Sequence, residues 1–528
     1  MKTLLKNNKL LVAIFLLAAF LRFFKLSEYP IHLGHDEVTQ LYDAISIAQT
    51  GNDIYGNHLP LIFKSVSDFK PPFYTYATVI AYKLFGWQDV TIRVTGALFG
   101  TLMVIGVYLF VNEFVKKREV GLIAAFLTAI SPFEIFFSRK SFENQAGILM
   151  MLTGFTLLKR KRFFLGMVLL GISSYIYFAQ AILIPILIAT YFILFWKESK
   201  KYLIKALVAF LLVVSPLYYL IYTNPDASNR SKAVFITQDA TIGSSEKIKV
   251  LSTAAVRYVK QFSPKYLFFE GLNMTEGKRD VGPLFPATIP FLLIGIYLLV
   301  KDKQSLPSDG KKIRTGSLFV FAWILITMIP SGATFEEYSP HRAIAVFTML
   351  NVVSAVGIYY FHKRFGKLAL FGILILLVLN FAFFGKRYVI NYPIERSEAL
   401  HYPFRDVAKF VCENHEKYDT IVFDPKFGEF TPWIGTGAHY YIAYYGYYDP
   451  ALMQKEFKIG DQEVRETKFD KFSIRAVFWP NDHSLKNTLI IASPWSLPAD
   501  IAKRAKIIKI FYFKTTAPAF YAVESIVE

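Results

Sequence analysis

With a single cysteine, Cys412, in 528 residues, the chain cannot hold an intrachain disulfide, and its redox compartment stays open. Charge is scarce too: Asp, Glu, Lys and Arg make up 19% of the residues, against 54% hydrophobic and 17% aromatic ones. That balance excludes an ordinary soluble enzyme. No Walker loop, G-x-S-x-G elbow or dinucleotide glycine fingerprint stands in a suitable context, so a nucleotide cofactor is unsupported. Neither an internal repeat nor a low-complexity segment occurs, and the spaced His or Cys set that zinc requires is missing.

What the sequence does have is apolar stretches recurring over its first ~385 residues, each about long enough to cross ~30 Å of hydrocarbon. Lys and Arg number 59 against 40 Asp and Glu, a net charge of +19. Such a surplus would suit a nucleic acid, but its placement argues against that partner. The clusters Lys116-Lys117-Arg118 and Lys159-Arg160-Lys161-Arg162 lie at the ends of apolar stretches, as the positive-inside rule requires. The first stretch is expected to be a retained helix: no small-x-small cleavage site follows, and Arg22 and Lys25 read as an interfacial anchor.

A cytoplasmic N-terminus with Lys2, Lys6 and Lys9 sends the segment after the first helix outward. The basic turns near 116–118, 159–162, 197–205, 301–314 and 363–367 then face the cytoplasm. Residues 73–86 decide the register. At about 14 residues, rich in Tyr and bearing Lys83, they suit an interfacial helix better than a span. About eleven spans follow, near 10–26, 93–115, 119–137, 144–158, 163–178, 181–196, 203–222, 284–300, 316–331, 343–361 and 368–384. An odd number places the C-terminus outside.

The expected fold is therefore an α-helical polytopic membrane domain over residues 1–384, in a plasma membrane, with a first external loop at 27–92 and a long one at 224–283. After Gly385 the long apolar runs stop. Helical spacing over 404–414 and strand-like runs at 420–423, 476–478 and 488–491 predict a small external α/β domain over 385–528.

Collected by side, acids and bases concentrate in the outward loops. The first carries His35-Asp36-Glu37, Lys70-Pro71-Pro72 and, at its end, Arg93; the next carries Ser138-Arg139-Lys140 and Glu143. Asn273 and Arg279 lie in the long loop, and Glu336, Glu337, His341 and Arg342 in a later one. Asp36 and Glu37 open an amphipathic stretch expected on the membrane surface. Taken alone, they suit the first turn of a helix, where the dipole favours acids. A carboxylate at an apolar interface also suits a general base. Lys70, fixed by the two prolines after it, has two readings, a phosphate clamp or a snorkelling cation, and Arg93, Arg139 and Arg342 share them. No motif specifies an organic cofactor. The one metal candidate is an oxygen-ligated Mg²⁺ or Mn²⁺ held by Asp36, Glu37 and Glu143.

An N-terminal helix, an outward Asp36-Glu37 pair, Lys70-Pro71-Pro72, Arg93 leading into the next helix, and Ser138-Arg139 followed by Glu143 resemble the GT-C superfamily of integral-membrane glycosyltransferases. Within it the chain is similar to the protein O-mannosyltransferase and aminoarabinose transferase branch, mainly over residues 10–200. The resemblance implies a polyprenyl-phosphate sugar donor, extracytoplasmic transfer with inversion, and a lipid, glycan or protein acceptor, with membrane lipids around the helices. By position it implies Asp36 as general base, Glu37 as its helper and Glu143 as a second acid. Lys70, Arg93 and Arg139 become donor-phosphate ligands, and His341-Arg342 resembles a later family loop. The large external domain of the mannosyltransferases is missing, which weakens the case for a protein acceptor. From another class, a transporter or lipid flippase would require charges inside the spans and a repeated half-structure.

Overall fold

The computed structural model describes residues 9–66, 68–223, 244–272, 280–301, 310–334, 339–343, 345–459 and 466–525. Lys2, Lys6, Asn273, Arg279, Glu336 and Glu337 fall outside them. Two compact units emerge: Met1–Leu26 with Arg93–Arg387, and Ser27–Ile92 with Tyr388–Glu528.

The first unit is built of apolar helices. Its opening helix, Lys9–Phe23, buries Leu11, Ile14, Ala18 and Arg22, one stripe at three- and four-residue steps. That stripe packs on Val104, Tyr108, Ala125 and Ala129. Leu10, Leu16 and Phe20, on the rest of the helix, are exposed, as lipid solvation permits. Small residues set the closest crossings. A side chain at Gly357 would collide with the Phe291 carbonyl, and one at Gly295 with that of Val353, so helices Ile289–Lys301 and Val346–Lys386 meet backbone to backbone.

Four helices are long and apolar enough to cross a membrane among the described residues: Val90–Phe114, Trp196–Thr223, Thr315–Gly332 and Val346–Glu395. A fifth arises if Arg118–Ile130 and Pro132–Arg139, bent by 51°, form one span. Other expected spans are shorter helices, such as Phe163–Ser173 and Phe178–Leu194. The expected pair 343–361 and 368–384 lies within Val346–Lys386 as two helices that meet at a kink, Gly366, whose φ of 77° breaks the helical backbone between them.

The second unit is a seven-stranded sheet with helices. Its strands follow a hairpin, β1 (Phe63–Ser65) with β2 (Asp68–Lys70). They are β3 (Thr420–Phe423), β4 (Lys458–Ile459), β5 (Thr467–Phe469), β6 (Phe472–Ile474), β7 (Thr488–Ala492), β8 (Ala505–Tyr512) and β9 (Pro518–Ser525). The order is β8-β9-β7-β3-β6-β5-β4, with β3 parallel to both β6 and β7 and the outer pairs antiparallel. Strands β3 and β7 lie where the hydrophobic runs predict them. The expected strand at 476–478 does not form. There the Val477 N–H goes to Asp424 Oδ2 and the Phe478 N–H to Asp482 Oδ2, so carboxylates take the donors a ladder needs.

The loop-1 residues share one core with the C-terminal segment. Leu33, Val38, Leu41, Tyr42, Ile45 and Tyr74 pack with Phe404, Val407, Tyr440, Tyr441 and Phe423. The helix His35–Thr50 is consequently buried from Glu37 through Ile47, on all its faces. The amphipathic expectation for it is thus replaced: partners some 350 residues further along the chain cover the face that was to lie on lipid. The helix Pro72–Phe85, at 14 residues, buries Tyr74, Thr75, Thr78 and Ala81.

Candidate functional site

In the second unit the site is assembled at the start of the helix His35–Thr50. Gly34 precedes it in an extended conformation, and Glu37 reaches back to accept the Gly34 N–H at 3.0 Å, as acids at the third helical position do. Glu37 is thereby buried and committed to the helix end. Asp36 points elsewhere: its Oδ1 lies 2.8 Å from Lys70 Nζ and 3.6 Å from His35 Nε2, with the carboxylate side chain 36% exposed. The β1–β2 hairpin delivers Lys70. Ser65 Oγ of the hairpin donates to Thr39 Oγ1 on the helix at 3.2 Å. Directly after Lys70, Pro71 takes φ −62° and ψ 152°, and Pro72 starts the next helix.

Two residues that sequence reasoning missed stand against this cluster. The His401 ring is 5.5 Å from that of His35. Its Nε2 accepts the Thr436 N–H at 3.0 Å, which leaves the ring proton on Nδ1. Burial first, then the charge of His35, holds its pKa well below the usual imidazole value, so it is neutral. Tyr441 is also buried, donating to the Leu33 carbonyl at 2.9 Å; burial and then Glu37 and Asp36 push its phenol well up. The Tyr-rich run 438–448 is a sequence signal for Tyr441 but not for His401.

The first unit gathers the other predicted residues. Glu143, buried, caps the helix Asn144–Lys159 by position, and Asn144 Nδ2 donates to the His341 carbonyl at 2.5 Å, which joins Glu143 to the His341-Arg342 segment. Arg342 is buried beside it. Arg93 Nη1 donates to the Leu26 carbonyl at 3.3 Å. Arg139 caps the opening helix: Nη1 reaches the carbonyls of Leu21, Arg22 and Phe24, and Nη2 that of Lys25, at 2.9–3.2 Å.

Arg22 is not the interfacial anchor its position suggested. It is fully buried. The cause is the helix break at Ser131-Pro132, which strips the preceding carbonyls of their helical partners. Arg22 donates to Ala129 O at 3.0 Å and Thr128 O at 3.2 Å, closing that helix end. Glu134, one turn beyond the break and equally buried, accepts from Thr348 Oγ1 at 2.5 Å and Gln145 Nε2 at 3.3 Å and is attracted to Arg22. The spans therefore do carry an acid and a base. Glu134 went unnoticed because it lies inside a run that otherwise reads as lipid-facing, and Arg22 was read as an anchor because it lies near the end of one.

The predicted set is thus divided by unit: Asp36, Glu37 and Lys70 belong to one, and Arg93, Arg139, Glu143, His341 and Arg342 to the other. No group of three His, Cys, Asp or Glu able to hold a metal ion occurs among the described residues. Of the residues expected to hold a metal, Asp36 and Glu37 lie in one unit and Glu143 in the other. Glu37 is bound to its own helix end, and Asp36 pairs with an ammonium.

Residues 69–219 match the family described as dolichyl-phosphate-mannose-protein mannosyltransferase. A search of curated proteins gives no match. Among solved structures, ArnT from Cupriavidus metallidurans bound to undecaprenyl phosphate shares 12% identity at a TM-score of 0.56, over 98% of each chain. The oligosaccharyltransferase AglB from Archaeoglobus fulgidus, in complex with an inhibitory peptide and a dolichol-phosphate, shares 14% at a TM-score of 0.50, covering 83% of this chain and 63% of that one. The chain thus shares its fold with ArnT along nearly its whole length, and its residues 69–219 resemble the dolichyl-phosphate-mannose-protein mannosyltransferase family.

Proposed function

We propose that the protein transfers a sugar from a polyprenyl-phosphate donor to a lipid, glycan or protein hydroxyl on the extracytoplasmic face of the plasma membrane, with inversion. The observation that carries this is the Asp36–Lys70 pair, a half-exposed carboxylate 2.8 Å from a buried ammonium. Asp36 takes the acceptor's O–H proton; the acceptor oxygen bonds to the anomeric carbon; the carbon–phosphate-oxygen bond breaks and its electron pair leaves on the polyprenyl phosphate. That leaving group needs positive charge, not a proton. Lys70 supplies the charge by shifting from Asp36 to the phosphate. Glu37, through its bond to Gly34, holds the helix start that aims Asp36. Glu143, as a second acid, and Arg93, His341 and Arg342, as donor ligands, complete the proposed set, and Arg139 serves chiefly through the opening helix that it caps.

The proposed topology has the N-terminus in the cytoplasm, about eleven spans, and residues 385–528 outside. A panel of polyprenyl-phosphate sugars, offered to the purified protein with lipid, glycan and peptide acceptors, should show one donor consumed with its anomeric configuration inverted. Consumption of none, or retention, contradicts the proposal. A flippase is the second reading, favoured by the buried Arg22 and Glu134. Movement of labelled polyprenyl phosphate across liposomes that is lost in Glu134→Gln would support it.

A further inference from the structure

A cleft of about 520 Å³ lies between the helix Tyr402–Glu413 and the edge strand β8 in the second unit, and none of the residues proposed for transfer lines it. Its walls carry three lysines, Lys409, Lys509 and Lys514. Each ammonium is held over a ring: Lys509 is 4.9 Å from the Phe410 centroid and 5.2 Å from that of Phe511, Lys514 is 4.8 Å from Tyr402, and Lys409 is 5.5 Å from Tyr445. None of the three forms an ion pair among the described residues. The two acids on the same wall are Asp406, which pairs with Arg405 at 3.2 Å, and Glu413.

Three ammoniums positioned by rings and left without carboxylates make a site for negative charge. The acids and the half-exposed Tyr512 ring narrow the ligand further. A dense polyanion would be repelled by Asp406 and Glu413. A neutral sugar would leave the lysines unmatched. A sugar bearing an acid group suits both: its hydroxyls donate to the carboxylates, its C–H face lies on the aromatic ring, and its charge meets the lysines. An extended peptide pairing along β8 is disfavoured, because register shifts between Ile507 and Lys509 and between Phe511 and Tyr512 disrupt that edge. We infer that this cleft binds an anionic saccharide, at a place separate from Asp36 and independent of the transfer reaction.

The test uses the full-length protein in detergent, titrated calorimetrically with a galacturonic acid trisaccharide, the matched neutral galactose trisaccharide and inorganic phosphate. The acidic trisaccharide should bind at least tenfold more tightly than either control. Its affinity should weaken as salt rises from about 50 to about 200 mM. Lys509→Ala with Lys514→Ala should lower it at least tenfold, while Lys506→Ala, on the same strand but paired with Glu524, leaves it unchanged. Asp36→Asn should bind like wild type, which separates this site from the transfer site. Equal binding of the neutral sugar, or phosphate binding as tightly as the acidic one, overturns the inference. So does full affinity in the double variant. The salt series on wild type covers the case in which the double variant does not fold, and a salt-independent affinity there has the same consequence.

Discussion

Asp36 and Glu37 are adjacent in sequence, yet one carboxylate caps its own helix and the other pairs with Lys70. Rotation by about 100° per helical residue separates them, so the acid at the third helical position reaches back to the helix start and its neighbour faces Lys70. Lys70→Ala should therefore raise the donor KM, with a smaller effect on the acceptor KM; steady-state kinetics with each substrate varied checks it, and an unchanged donor KM removes Lys70 from the site. A pH effect belongs to this scale as well. Burial holds His439 at about 3, so the folded unit keeps it neutral while the unfolded chain protonates near 6.5. The unfolded state binds more protons in that window, and stability is lost as pH falls below ~6.5 at about 1.4 kcal/mol per unit. Melting curves of wild type and His439→Leu should diverge by this slope between about pH 6 and 4, because His401 and the raised Asp43 are common to both and cancel. Of the residues around Asp36, the acids and Lys70 were legible because their types and neighbours are informative locally. His401 and Tyr441 were not: nothing within their own segments says which distant helix they meet.

At the scale of elements, the helix break at Ser131-Pro132 organises the first unit. Proline at the first position of Pro132–Arg139 cannot continue the preceding ladder, and Arg22 fills the opening from the opening helix while Arg139 caps that helix in turn. Each guanidinium thus closes the end of the other's partner. Arg22→Met should remove about 3–5 kcal/mol of stability by leaving Glu134 and the carbonyls buried without their cation. A fall in the melting temperature of the detergent-solubilised protein, with Arg22→Lys intermediate, checks it. The apolar runs made the helices themselves plain, since a period and a length suffice for that. The bend and its clasp depend on groups 107 residues apart, which no local pattern encodes. The lost strand at 476–478 has a partly similar origin, since the distant Asp424 claims the Val477 N–H while the nearby Asp482 claims that of Phe478.

For the whole molecule, the division into units differs from the one that composition suggests. Composition changes at Gly385, and the first loop reads as an appendage of the helices; in the structure, residues 27–92 and 388–528 make one unit around a common core. Hydrophobicity reports which segments are apolar but not which of them share a core, so the sequence showed the membrane class and the candidate acid without showing that a C-terminal helix and sheet support it. The central claim is that Asp36 is the base of an inverting sugar transfer. Its most direct test is single-turnover transfer from the donor that the panel identifies, comparing wild type with Asp36→Asn at saturating donor. The account predicts a rate lower by about 10²–10⁴-fold with donor binding retained; a rate within twofold of wild type contradicts it.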